Sequence, residues 1–315
     1  MRLTLDGTTR IFPLDGFAAG IADLSDATRA RITLLRDRLL APRAAIAGMN
    51  FARSHVMGVV NVTPDSFSDG GRGGGGGDPV AAARTMVAAG ASIVDLGGES
   101  TRPRAKPVSE ADELARVRPV LDSLRKVRLP LSIDTRKAVV MAAALDAGAA
   151  LVNDVSALTH DPAALALVAA RGCPVVLMHA QGTPQTMQDA PAYDDVVRDV
   201  FDWLEARIAV CVAAGIERDR IIADPGIGFG KTVDHNLALL REIGLFHGLG
   251  VPILLGVSRK KMIGTLAGDA PVDDRLGGSL ALALHAIARG VQIVRVHDVR
   301  ETVQAVRLWE AVQPA

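Results

Sequence analysis

One repeating pattern limits what this chain can become. From Val56 onward a short apolar run, a polar or glycine-containing loop and an Ala/Leu-rich amphipathic helix succeed one another to the end of the sequence. The runs predict strands at Val56–Val62, Ser92–Gly97, Leu131–Asp134, Leu151–Val155, Pro174–His179, Ile221–Asp224, Pro252–Val257 and Ile293–His297. Helical periodicity predicts helices near 79–89, 109–126, 137–147, 161–171, 193–214, 233–247, 275–289 and 300–312, one after each strand. Strands this rich in Val, Ile and Leu are buried on both faces, as parallel strands covered by helices must be. Eight such units close a (β/α)8 TIM barrel, with a doubly wound open sheet as the alternative. Gly148, Gly172, Gly215, Gly250 and Gly290 fall between a helix and the next strand, where a residue of positive φ ends a helix.

The first fifty residues do not share the pattern. TLDGTTRIF suggests a hairpin, and Asp26 is placed to cap a helix running to Leu40, with Ile32, Leu35 and Leu39 on one face and Pro42 beyond its end. The expected organisation is an N-terminal extension of unknown role over 1–54 and a catalytic barrel over 55–315.

Composition narrows the function. Aromatic residues make up 3% of the 315, too few for base-stacking platforms, and 35 basic residues balance 35 acidic ones. No nucleic acid or membrane partner is expected, and an anion must be recognised locally. Without a signal-peptide segment or a long apolar run, a cytoplasmic location is expected. Cys173 and Cys211 have no metal or redox spacing and read as core residues.

In a barrel of this kind the chemistry belongs at the C-terminal ends of the strands. In order, those ends carry Asn61; Glu99, Ser100, Thr101 and Arg102; Asp134; Asn153 and Asp154; His179; Asp224; Ser258, Arg259 and Lys260; and Arg295, His297 and Asp298. A single buried Asp can simply satisfy backbone groups, but eight polar ends on one rim call for a small polar molecule. Asp134, Asn153 and Asp224 suit a planar heterocycle with an amidine-like edge, Arg295 can lie flat on it, and Lys260 would donate to its carbonyl or ring nitrogen. Thr101, Arg102, His297 and the glycine-rich first loop suit an oxyanion, with Asn61 as an oxygen ligand for Mg²⁺. A diphosphate beside a heterocycle follows as the natural guess.

Two partial motifs are set aside. GIGFGKT, 226–232, lacks the glycine spacing of a P-loop, because Pro225 stands where the first glycine is needed; its glycines are expected to let the backbone approach a flat ring. His179 with Asp298 hints at a metal-dependent hydrolase, but strand 1 offers Asn61-Val62-Thr63 in place of His-x-His.

Taken together, NVTPDSFSDGG (61–71), GASIVDLGGESTRP (90–103), SIDTRK (132–137), LVNDVSA (151–157), MHAQGTPQTMQ (178–188), DPGIGFGK (224–231), GVSRKKMIG (256–264) and RVHDV (295–299) resemble the dihydropteroate synthase family. That resemblance implies a (β/α)8 barrel, usually a homodimer, joining 6-hydroxymethyl-7,8-dihydropterin diphosphate to p-aminobenzoate. It implies that Asp134, Asn153, Asp224 and Lys260 hold the pterin, with Arg295 stacked on it and Met178 in its pocket. Asn61 would bind Mg²⁺, and Thr101, Arg102, Arg295 and His297 the diphosphate. Phe67, Ser68, Pro103, Phe229 and Lys260 would form the p-aminobenzoate pocket as the first two loops close. The implied chemistry is dissociative: diphosphate leaves, and the aniline nitrogen attacks a cation that Asp69 and Asp134 stabilise. Asp69, Asp134, Lys260, Arg295 and His297 are thus the catalytic candidates.

The chain departs from the family pattern in its Gly73–Gly77 run, in Arg104 where Gly is common, and in Ala180, Gln185 and Lys261. Two alternatives share the barrel: a methyltetrahydrofolate-dependent methyltransferase, which has no use for the first loop, SRK or RVHD, and a pterin-binding paralogue without catalysis.

Overall fold

The computed structural model describes residues 2–5, 8–62, 78–102, 104–126 and 130–313. Phe67, Ser68, Asp69, Pro103, the Gly73–Gly77 run and the expected lid over 65–71 lie outside the described residues.

A two-stranded antiparallel hairpin, β1 (Arg2–Leu5) and β2 (Thr8–Ile11), opens the chain. A single turn, α1 (Phe17–Gly20), and α2 (Asp26–Leu40) follow. Ser25, rather than Asp26, caps α2: its hydroxyl accepts the Thr28 amide, and Asp26 is the first helical residue, where its charge favours the positive end of the helix dipole.

Eight parallel strands then alternate with helices. They are β3 (His55–Asn61), β4 (Ile93–Gly97), β5 (Leu131–Asp134), β6 (Leu151–Asp154), β7 (Val175–Met178), β8 (Ile221–Asp224), β9 (Leu254–Leu255) and β10 (Ile293–Val296). The sheet runs in chain order from β8 back to β3 and on through β10 to β9. A single parallel bridge, Ala223 to Ile253, closes it. The expected strand Pro252–Val257 is therefore cut to two residues at the seam of the barrel.

Most of the helices lie where helical periodicity put them. In α3 (Pro79–Ala89), Asp78 caps the Val80 amide, proline occupies the first turn and Gly90 ends the helix at φ 105°. The glycines expected to stop helices also take positive φ, from 57° at Gly172 to 103° at Gly148. Next come α4 (Glu110–Leu124), α5 (Ala138–Asp146), α6 (Ala164–Arg171) and α7 (Val196–Ala213). The helix expected over 233–247 breaks: α8 covers Val233–Arg241 and a 3-10 segment continues over Ile243–Leu249. An unforeseen short helix, α9 (Lys261–Leu266), precedes α10 (Leu276–Ile287) and α11 (Val299–Ala311).

Strand alternation sorts the side chains. Val94, Leu96, Ile133, Val152, Val175, Leu177 and Val294 point out and form the core between sheet and helices. Met57, Ile93, Leu151, Val176, Ile222, Leu254 and Ile293 point in and form a second apolar cluster with Ile46 and Met49. Those last two come from the segment before β3, where a tight turn through Ala47 and Gly48, at φ 49° and 79°, closes the N-terminal mouth. Helix α2 also lies on the 3-10 segment, and its Arg31 and Arg38 both bond Glu205 of α7.

Candidate active site

Moving two residues up each strand from that inner apolar layer keeps the side chain inside the barrel. The step from Ile93 reaches Asp95, from Leu151 Asn153, from Val176 Met178, from Ile222 Asp224 and from Ile293 Arg295. In β5 the same face carries Ser132 and then Asp134. Asp95, Asn153, Met178, Asp224 and Asp134 are all buried. An apolar plug is thus overlaid by a polar layer built from five strands.

Arg295 ties this layer together. Its Nε donates to Asp95 Oδ2 at 2.7 Å and its Nη2 to Asp134 Oδ2 at 2.7 Å. Asn153 Nδ2 donates to the same Asp95 oxygen at 2.9 Å. Burial alone would lower the Arg295 pKa, but Asp95 and Asp134 overcome it, so the guanidinium stays charged. Burial pushes Asp134 up to about 7, with Asp95, Glu113 and Asp154 adding to the rise and Arg295 opposing it. The other oxygen of Asp134, Oδ1, is buried with no bonding partner, as is Oδ1 of Asp95. A buried acceptor without a donor costs roughly 1–3 kcal/mol, so the Asp134 oxygen invites a ligand N–H.

Lys260 enters from the loop after β9. Lys260 places its Nζ 4.3 Å from the centre of the Phe229 ring. Burial brings its pKa down to about 8 against the pull of Asp224, with Arg295 and Arg102 contributing to the fall. Asp224, raised by burial, accepts the Gly226 amide at 2.7 Å. His297 bonds Ser258 through Nδ1 at 3.1 Å, and burial, with Arg295 and Arg102 nearby, lowers it to about 3, which keeps it a neutral imidazole. Arg102 itself is exposed and Thr101 half-buried. Asn61 ends β3 beside Gly97 of β4, at the same rim.

Several expected site residues do structural work. Glu99 accepts the Val108 amide at 3.0 Å and binds Arg136 and Lys137 at 3.0 and 3.1 Å, so it clasps both ends of the loop that carries Thr101 and Arg102. Asp154 points outward in strand register and accepts the amides of Ser156 and Leu158. Asp298 pairs with Arg259.

Two of the three glycines of 226–230 serve packing between loops, while a Cβ on the third, Gly228, would meet the Lys260 side chain at 3.3 Å. A Cβ on Gly226 would lie 1.9 Å from the His179 carbonyl oxygen and one on Gly230 2.4 Å from that of Gln181. They let the loop after β8 pack on the loop after β7. Lys231 locks that contact, with Nζ bonded to His179 Nδ1 at 2.9 Å, Gly226 O at 3.0 Å and Phe229 O at 3.1 Å.

Two of the departures from the family pattern also find places. Arg104 takes φ 64°, a conformation in which glycine is the usual choice, and its amide donates to Pro184 O at 2.7 Å. Gln185 reaches back to donate to Ala105 O at 2.9 Å. The loops after β4 and β7 are thereby braced together.

Asp95 and Lys231 escaped the reading of strand ends. Asp95 lies inside β4 rather than at its end, and strand parity identifies it. Lys231 belonged to a motif set aside for phosphate binding, and no sequence signal marks it as a loop clasp.

The barrel thus carries a polar layer of acceptors tied together by an arginine, with a lysine beside it, and residues 57–297 match the family model described as pterin binding enzyme. The dihydropteroate synthase of Escherichia coli strain K12 is 47% identical over 268 residues, covering 85% of this chain and 94% of that one. The Yersinia pestis dihydropteroate synthase, solved with a sulfonamide drug complex, superposes with a TM-score of 0.81 at 45% identity, over 86% of this chain and 99% of that one. The Xanthomonas albilineans dihydropteroate synthase, solved with 4-aminobenzoic acid, gives 0.79 at 46% identity, over 87% and 99%. The chain belongs to the dihydropteroate synthase family.

Proposed function

We propose that this enzyme transfers the pterinylmethyl group of 6-hydroxymethyl-7,8-dihydropterin diphosphate to p-aminobenzoate, giving 7,8-dihydropteroate and diphosphate in folate biosynthesis. The observation that carries this is the inner polar layer: Asp134, Asn153 and Asp224 supply acceptors, Lys260 a donor, and Arg295 is pinned between two carboxylates. Met178 supplies an apolar contact for the ring.

The substitution is dissociative. Loss of diphosphate leaves a cation delocalised into the pterin, and Asp134 lies where its carboxylate offsets that charge. Arg295 is shared between Asp95 and Asp134, so the charge of an ionised Asp134 is only partly offset by its cation. Arg102, Thr101 and His297 hold the leaving anion; His297 does so as a neutral imidazole. Phe229, with Lys260 over its face, forms one wall for the aniline ring. The aniline needs no strong base, because its nitrogen attacks a carbocation and loses its proton afterwards. Phe67, Ser68, Pro103 and Asp69, which the family resemblance assigns to p-aminobenzoate and to the cation, lie outside the described residues.

For the metal, the donor set at Asn61 is informative. Among the described residues no group of three His, Cys, Asp or Glu side chains could hold a cation. One neutral amide oxygen fits an ion that keeps its waters and takes its remaining ligands from phosphate, which is the habit of Mg²⁺. Mg²⁺ held by Asn61 would supply charge compensation for the leaving diphosphate. Among the described residues no helix is long and apolar enough to cross a membrane. We propose a homodimer, the state that the family resemblance implies, working in the cytoplasm.

The test is release of diphosphate and formation of 7,8-dihydropteroate by purified protein, with and without p-aminobenzoate and Mg²⁺. Product that requires p-aminobenzoate is expected. Pterin binding without turnover would identify a non-catalytic paralogue instead.

A further inference from the structure

Asn153 is one of the acceptors offered to the pterin, yet an asparagine side chain presents two opposite faces. Its amide nitrogen donates and its oxygen accepts, and rotation about the last torsion exchanges them at almost no cost unless a neighbour decides. Here a neighbour decides. Asp95 Oδ2 lies 2.9 Å from Asn153 Nδ2, and a carboxylate oxygen can only accept. Turning the amide over would set oxygen against oxygen. The same Asp95 oxygen takes Arg295 Nε at 2.7 Å, so it cannot move off without losing its cation.

Asp95 is also placed to act on Asn153 and not on substrate. It is 0% exposed, one layer below the rim, while Asn153, Asp134 and Asp224 keep 4–7% of their surface open. Among the described residues nothing donates to Asn153 Oδ1.

We infer that Asp95 is a positioning residue that fixes the Asn153 amide with its oxygen toward the substrate, and so makes the site demand a ring edge that donates hydrogen bonds. With Asn153 held this way, Asp134 Oδ1, Asn153 Oδ1 and Asp224 form an acceptor arc on three neighbouring or near-neighbouring strands. A ring that offers an acceptor to this arc meets oxygen lone pairs at each position. This inference rests on the pterin reading of the site.

The test uses the full chain and 6-hydroxymethylpterin in calorimetric titrations. Asp95→Asn gives the position a donor as well as an acceptor, which frees the amide of residue 153 to turn. Its affinity should fall roughly tenfold or more, the loss of one buried acceptor. Because Asp95 Oδ2 also accepts Arg295 Nε, the part of this loss that runs through Asn153 is separated in an Asn153→Ala background, where Asp95→Asn should cost no more than about twofold further. An equal loss with and without the Asn153 side chain, or a single variant that binds like wild type, overturns the inference.

Wild-type protein that fails to bind 6-hydroxymethylpterin would instead sink the pterin reading itself. If Asp95→Asn does not fold, the side-chain amide of Asn153 in ¹⁵N-labelled wild type decides. Slow exchange of its hydrogen with and without ligand supports the bond to Asp95, and exchange at the rate of an exposed amide overturns it.

Discussion

The two mouths of the barrel are built from the same strands two or four residues apart, and they could hardly differ more. At the N-terminal mouth the inward positions are Met57, Ile93, Leu151, Val176, Ile222, Leu254 and Ile293, sealed by Ile46 and Met49. One step up, the inward positions become Asp95, Asn153, Asp224 and Arg295. The lower layer needs nothing but complementary shape. The upper layer keeps buried charge because each group has a partner or is left for one to arrive. A strand of four residues thus carries stability at one end and chemistry at the other, with no room between them for a residue that serves neither.

The sharpest way to break this contrast is to remove the cation from the upper layer. Arg295→Met leaves Asp95 and Asp134 buried together without compensation, a change that costs on the order of 3–5 kcal/mol when one partner of a buried pair is lost. Urea unfolding should report that loss, and dihydropteroate formation should become undetectable even where the variant remains folded. Near-normal turnover would show that Arg295 serves the barrel and not the substrate.

The complementary change is made at the lower layer. Met49→Ala empties a fully enclosed position facing Met57 and Ile93, and a Met→Ala substitution of this kind costs about 2–5 kcal/mol. Here the denaturant midpoint should fall while kcat and both KM values stay within about twofold of wild type at a temperature where the variant is folded. A specific fall in kcat would mean that the apolar plug sets the geometry of the polar layer, and that the two mouths are less independent than they look.

Much of this contrast is legible in the sequence, and the limits of that reading are physical. The eight runs of β-branched and aliphatic residues, with glycines closing the helices, specify parallel strands whatever their neighbours, so the barrel emerges from local signals alone. Asp134, Asn153, Asp224, Lys260 and Arg295 stand out because a polar residue ending an apolar strand has few other uses. Asp95 is hidden because it sits between Val94 and Leu96, where only the period of two shows that it faces inward with Ile93. Glu99 and Asp154 mislead for the opposite reason: they occupy strand ends, but their oxygens are consumed by Val108, Ser156 and Leu158 amides. The brevity of β9 could not be foreseen, since a barrel seam is a property of closure, not of any one run.

The smallest expected effect concerns charge within the upper layer, and its sign follows from burial. Asp134 is raised to about 7, so its carboxylate is progressively lost as pH falls through that value. Lys260 is lowered to about 8, so its ammonium is lost as pH rises through that value. Affinity for 6-hydroxymethylpterin should therefore peak between about 7 and 8 and decline on both sides, with ionisation of the ring's own N3–H adding to the alkaline limb. Because both groups have Arg295 as a neighbour and Asp134 itself acts on Lys260, the limbs belong to the coupled set, and each must be assigned by removing its group. In Asp134→Asn the acid limb should move toward lower pH while the alkaline limb persists. Lys260→Arg should do the reverse, since a guanidinium stays charged throughout. An acid limb that survives Asp134→Asn unchanged would transfer that titration to Asp224, the other buried and raised carboxyl of the layer, and would place the charge that matters on β8 rather than β5.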